Sequence, residues 1–89
     1  MNLIHNAELN LTPQEREDCF AIIEYWLGTR EMSDTDMLIL FRLYVNKIII
    51  DHSKTFTCSS CRIEARQFWR DYYIHKVGRE HYLSIRATE

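Results

Sequence analysis

The chain has 89 residues, 46% hydrophobic and 27% charged, which describes one small folding domain and excludes a disordered tail. Two Gly and one Pro exclude collagen-like and linker-rich architectures and leave little turn chemistry for an all-β fold. A net charge of −2 offers no global attraction to nucleic acid or anionic membrane, but it hides an asymmetry. Residues 1–44 carry three basic and eight acidic side chains, a balance of −5, whereas residues 45–89 carry eight and five, a balance of +3.

The start, MNLIHNAELN, lacks the basic and apolar regions of a signal peptide and shows no clear period, so it reads as an arm or short packed turn. Thr12-Pro13-Gln14-Glu15 then opens a helix over about 13–27. Thr12 caps it, Pro13 suits its first position, and Glu15 reaches back to complete a capping box. Glu15, Glu17 and Asp18 match the positive end of the helix dipole, and Gly28 stops the helix. Cys19, Phe20, Ile23, Trp26 and Leu27 recur at helical spacing along it.

Ser33 to Asp36 caps a second helix over about 34–50. Met37, Leu38, Phe41, Val45 and Ile48 occupy one side, and Ile39, Leu43 and Ile50 lie nearly opposite. A helix apolar almost all round needs partners on more than one face. Its end, KIIID, also suits a strand. The apolar run Met37–Ile50 contains Arg42, Asn46 and Lys47 and is shorter than the ~20 residues of a membrane span. The expectation is a soluble, cytoplasmic protein with no membrane association.

After a polar connection, Thr57 caps a third helix over about 58–77, closed by Gly78. Its buried stripe is Cys58, Cys61, Ala65, Phe68 and Tyr72. The ending, residues 79–89 with the stretch HYLSIR, reads as a second arm. The expected architecture is therefore an all-α, three-helix domain with short N-terminal and C-terminal arms.

Three constellations bear on chemistry. Cys58-x2-Cys61, His75 and His81 match a two-Cys, two-His zinc spacing on paper. However, Cys61 and His75 are 14 residues apart on one helical pattern, ~21 Å at 1.5 Å per residue, and no single zinc spans that. The default for the cysteines is packing, and three Cys in a non-secreted chain argue against a disulfide framework. Zinc held by Cys58 and Cys61 with His52 or Cys19, or by two Cys pairs across a dimer axis, is a secondary reading. Redox work is a third, since a C-x-x-C at a helix N-terminus favours thiolate, although the βαβ context of thioredoxin-like sites is missing.

The second constellation is Arg62, Arg66 and Arg70 at i, i+4, i+8, with Trp69 and Tyr73 beside them. This arginine/aromatic ridge is the expected exposed binding face. It suits a protein partner, with nucleic-acid binding by phosphate contact and base stacking as the alternative. The third is negative. No Gly-rich phosphate loop, nucleophile elbow or His-Glu-x-x-His occurs, and the four His are scattered, so a non-enzymatic role is expected, with no cofactor. The 11 aromatic residues and the all-round apolar second helix exceed what a thin core readily hides, which points to a partner or a homo-oligomer.

Tyr44-Val45-Asn46-Lys47 followed by Thr57-Cys58-Ser59-Ser60-Cys61 resembles a pattern in small phage and prophage proteins. In these an apolar helix ends near Tyr-x-Asn and Thr-Cys-x-x-Cys opens a basic helix. The resemblance spans roughly residues 38–66. It implies a phage or mobile-element origin, with a host factor or a virion component as the partner.

Overall fold

The computed structural model describes residues 3–78, and these form four α-helices and one π-helical turn, without strands. The helices are α1 (Leu3–Asn10), α2 (Pro13–Thr29), α3 (Asp34–Leu43) and α4 (Ser59–Val77), with the π turn Tyr44–Ile48 continuing α3. The fold is all-α, as the periodicity predicts. The second arm lies in residues 79–89, outside the described residues.

The capping reading of α2 holds atom for atom. Glu15 N–H donates to Thr12 Oγ1 at 3.1 Å, and Thr12 N–H donates to Glu15 Oε1 at 2.9 Å. The helix runs past Gly28 and ends on Arg30, whose φ of 64° places it in the left-handed region. Ser33 caps α3 through a bond from Asp36 N–H.

The N-terminal arm is a helix, not an irregular turn. Ile4, Ala7 and Leu11 lie close to one face at helical spacing, and Ala7 and Leu11 are buried. Eight residues with two Asn make a marginal isolated helix, so packing, and not propensity, holds α1 in place. It sits against the π turn and caps it. Asn6 Nδ2 donates to the Ile48 carbonyl at 2.8 Å and Asn10 Nδ2 to the Lys47 carbonyl at 2.7 Å. These are carbonyls that a helix C-terminus leaves without intrahelical partners.

The second predicted helix divides at Tyr44. Trp69 Nε1, from α4, donates to the Leu40 carbonyl at 2.9 Å inside the core, one turn before the ladder widens. The same carbonyl still accepts the Tyr44 N–H, so the indole adds a second bond without breaking the helical ladder there. The Ile49 N–H then bonds Tyr44 O, and Asp51 N–H bonds Val45 O. KIIID is thus neither strand nor regular helix. Ile50 closes it at φ 51°, a left-handed conformation that β-branched residues rarely adopt.

The core gathers Cys19, Ile23 and Leu27 from α2, Met37, Leu40 and Phe41 from α3, and Tyr44, Val45 and Ile48 from the π turn. Ala65, Phe68, Trp69, Tyr72 and Tyr73 join them from α4. Phe20 sets its ring edge-on to Tyr72 and Tyr73, each at 5.3 Å between centroids. Much of the aromatic complement among the described residues is therefore packed inside the molecule, with Tyr25 as an exposed exception. Among the described residues the exposed large apolar side chains are Leu9, Tyr25, Ile39, Ile50, Ile63 and Val77.

Ion pairs tie the elements at their rims. Glu8 of α1 pairs with Arg16 of α2 at 3.2 Å and with Lys76 of α4 at 2.9 Å. Lys47 Nζ reaches both Glu15 oxygens, at 2.7 and 2.8 Å. The acidic front half and basic back half thus meet partly within the chain.

Candidate binding groove

The first two turns of α4 carry Arg62, Ile63 and Arg66 past the start of α3 and the preceding Met32. Together with Asp34, Met37 and Ser59 they frame a half-open groove of about 240 Å³. Met32, Met37 and Ile63 supply its apolar wall, and Arg62 and Arg66 supply its positive charge. Asp34 and Ser59 are the first residues of α3 and α4, so both helices begin at the groove and direct free N–H groups toward that end. Asp34 is the one acidic side chain of the lining.

Both arginines are held by rings, but not by those expected. The Arg66 guanidinium lies 5.1 Å from the Trp26 ring centroid, on α2. Arg62 lies 5.4 Å from the Phe56 centroid and donates through Nη1 to the Phe56 carbonyl. Stacking fixes a guanidinium plane while leaving its charge uncompensated. Neither Arg62 nor Arg66 is paired with a carboxylate among the described residues. Arg70 lies one turn further on, outside the groove lining, and approaches Asp71 at 3.7 Å.

The structure corrects the expected face at two positions. Trp69 and Tyr73 are fully buried and present no ring to solvent. Each follows a buried aromatic, Phe68 or Tyr72, by one residue, so the pair widens the buried stripe of α4 by about 100° of helix. Ala65, Trp69 and Tyr73 form a second i, i+4 row inside the core, and the arginine row borders it. Base stacking on Trp69 and Tyr73 is thereby excluded. Met32, Met37 and Trp26 enter the site from segments distant in sequence, Ile63 lies between the arginines on α4, and only the i, i+4 arginines signalled the site beforehand.

The cysteines separate into two environments. Cys58 is the N-cap of α4, not its first helical residue, and it is joined to Cys61 by a disulfide with Cα atoms 5.2 Å apart. That pairing departs from the expectation of two reduced packing cysteines. Cys19 is a buried free thiol whose burial pushes its pKa up to about 12. His52 is exposed on the turn before α4, and among the described residues no three His, Cys, Asp or Glu side chains gather as a metal site. No helix among the described residues is long and apolar enough to cross a membrane.

No protein-family model matches the chain, and no curated protein or solved structure matches it significantly.

Proposed function

We propose that the protein is a non-enzymatic binding module whose groove takes an acidic–apolar segment of a protein partner. The observation that carries this reading is the pair Arg62 and Arg66, oriented by Phe56 and Trp26 yet unpaired with any carboxylate among the described residues, beside an apolar wall. About 240 Å³ suits one apolar side chain of the partner, with a neighbouring carboxylate reaching the guanidinium groups. Methionine in the wall adapts to more than one side-chain shape. On the resemblance to small phage proteins, the partner we propose is a host factor or a virion component.

A displayed library of random peptides, selected against the full chain, tests the reading directly. Enriched peptides are expected to carry Asp or Glu next to Leu, Ile, Phe or Met. Arg66→Glu is the informative variant because Arg66 packs on the Trp26 ring and has no ion-pair partner among the described residues, and it should weaken binding at least ~30-fold, as for a desolvated charge pair. Arg70→Glu, outside the groove, should leave binding unchanged. Enrichment without acidic bias, or equal binding by Arg66→Glu, sinks the proposal. Affinity for arbitrary nucleic acid that falls steeply with salt would instead favour phosphate recognition by the arginine row.

Self-association is the second reading. The outer face of α2 exposes Glu17, Asp18 and Glu24, which complement the arginine row of another copy. Light scattering at graded salt decides it: a homo-oligomer held this way should dissociate as salt rises.

A further inference from the structure

The Cys58–Cys61 disulfide closes a sequence separation of only three, so it removes little entropy from the unfolded chain and is poorly explained as a staple. Its surroundings have the features of a reactive pair. Cys58 is the N-cap of α4, its Sγ accepts the Cys61 N–H at 3.3 Å, and Ser60 Oγ lies 3.3 Å away. These groups and the helix dipole stabilise negative charge on that sulfur. Both cysteines are half-buried, with Ser59 and Ser60 exposed between them, so a small molecule can reach the bond. The two sulfurs differ in setting: Cys61 packs against the core and Cys58 sits outside it at the helix end.

We propose that Cys58 and Cys61 form a dithiol–disulfide exchange site for low-molecular-weight thiols and disulfides, with Cys58 as the exchanging sulfur and Cys61 as the resolving one. In the reducing direction an external thiolate attacks Cys58 Sγ and the Cys58–Cys61 bond breaks. The electron pair leaves on Cys61, which takes up a proton, and a mixed disulfide remains on Cys58. A second external thiolate attacks the outer sulfur of that mixed disulfide, forming the external disulfide and releasing Cys58 as thiolate, which takes up the second proton. The protein disulfide gains two electrons and two protons, and two external thiols are oxidised to one disulfide. No strand or cofactor is required, because the helix end supplies the stabilisation locally.

The test uses the full chain equilibrated in buffers of graded reduced-to-oxidised glutathione, quenched with acid, and read by thiol labelling and mass spectrometry. Cys58 and Cys61 should titrate together as one two-electron couple, while Cys19 stays reduced and unlabelled without denaturant. With oxidised glutathione, Cys61→Ser should trap one adduct, on Cys58, and Cys58→Ser should form its adduct on Cys61 about tenfold more slowly. A pair that stays wholly reduced or wholly oxidised across the series overturns the proposal, as do equal rates in the two variants. If a variant loses its helical circular dichroism, the wild-type titration alone decides.

Discussion

Replacing Trp69 by Phe separates a core residue from a contact residue. The indole is fully buried, and its Nε1 donates to the Leu40 carbonyl at 2.9 Å where α3 gives way to the π turn. Losing that bond costs about 0.5–1.5 kcal/mol. The smaller ring leaves roughly 40 Å³ unfilled, which at ~24 cal/mol per Å³ adds about 1 kcal/mol before the lost apolar burial is counted. A total of about 2–3 kcal/mol lowers the melting temperature by roughly 10–20 °C in a domain of this size. Urea and thermal melts followed by circular dichroism measure it, and Trp26 remains as the sole tryptophan to report on the groove. Peptide binding by the folded variant should be unchanged at low temperature. A midpoint within ~0.5 kcal/mol of wild type would refute the buried, hydrogen-bonded placement, and selective loss of binding would return Trp69 to the contact face.

Two further perturbations read the fold. Ile50→Gly should raise stability by about 0.5–1 kcal/mol, since φ 51° strains a β-branched residue and the Ile50 side chain is 59% exposed and buries little. A lowered urea midpoint would show that Ile50 packs on something that outweighs the strain. Acid sensitivity follows from Glu8 and Glu15. The hydrogen bond from Lys76 holds the Glu8 carboxyl below its usual range, and the bonds from Lys47 and the Thr12 N–H do the same for Glu15. Folded-state pKa values below the unfolded ones mean their contribution is present above about pH 4.3 and is lost as pH falls through the lowered values. Glu8→Gln and Glu15→Gln should therefore flatten the acid limb of the stability curve, and unchanged slopes would sink that assignment.

Local chemistry was legible in advance wherever one segment decides its own conformation. The Thr12–Glu15 capping box, the Ser33 cap and the helical spacing expected over 13–27 and 58–77 each involve residues within a few positions of one another, and each appears, with the last helix capped one residue later by Cys58 instead of Thr57. The arginine row was legible for the same reason, because i, i+4, i+8 places three side chains on one face of any helix. What the periodicity could not resolve was which neighbouring row faces inward. Trp69 and Tyr73 sit beside the arginines on α4, and their burial depends on where α2 and α3 lie against that helix. Likewise α1 is docked by Asn6 and Asn10 on carbonyls of the π turn 42 and 37 residues away, and α4 is tied to the end of α3 by an indole bond spanning 29 residues. The groove is non-local too, since Met32 and Met37 meet Arg62, Ile63 and Arg66 only once α3 and α4 dock. The opening balance of −2 resolves the same way. Residue order set an acidic front and a basic back, while packing chose which charges cancel, Glu15 with Lys47 and Glu8 with Lys76, and set Arg62 and Arg66 against aromatic rings with no carboxylate partner among the described residues.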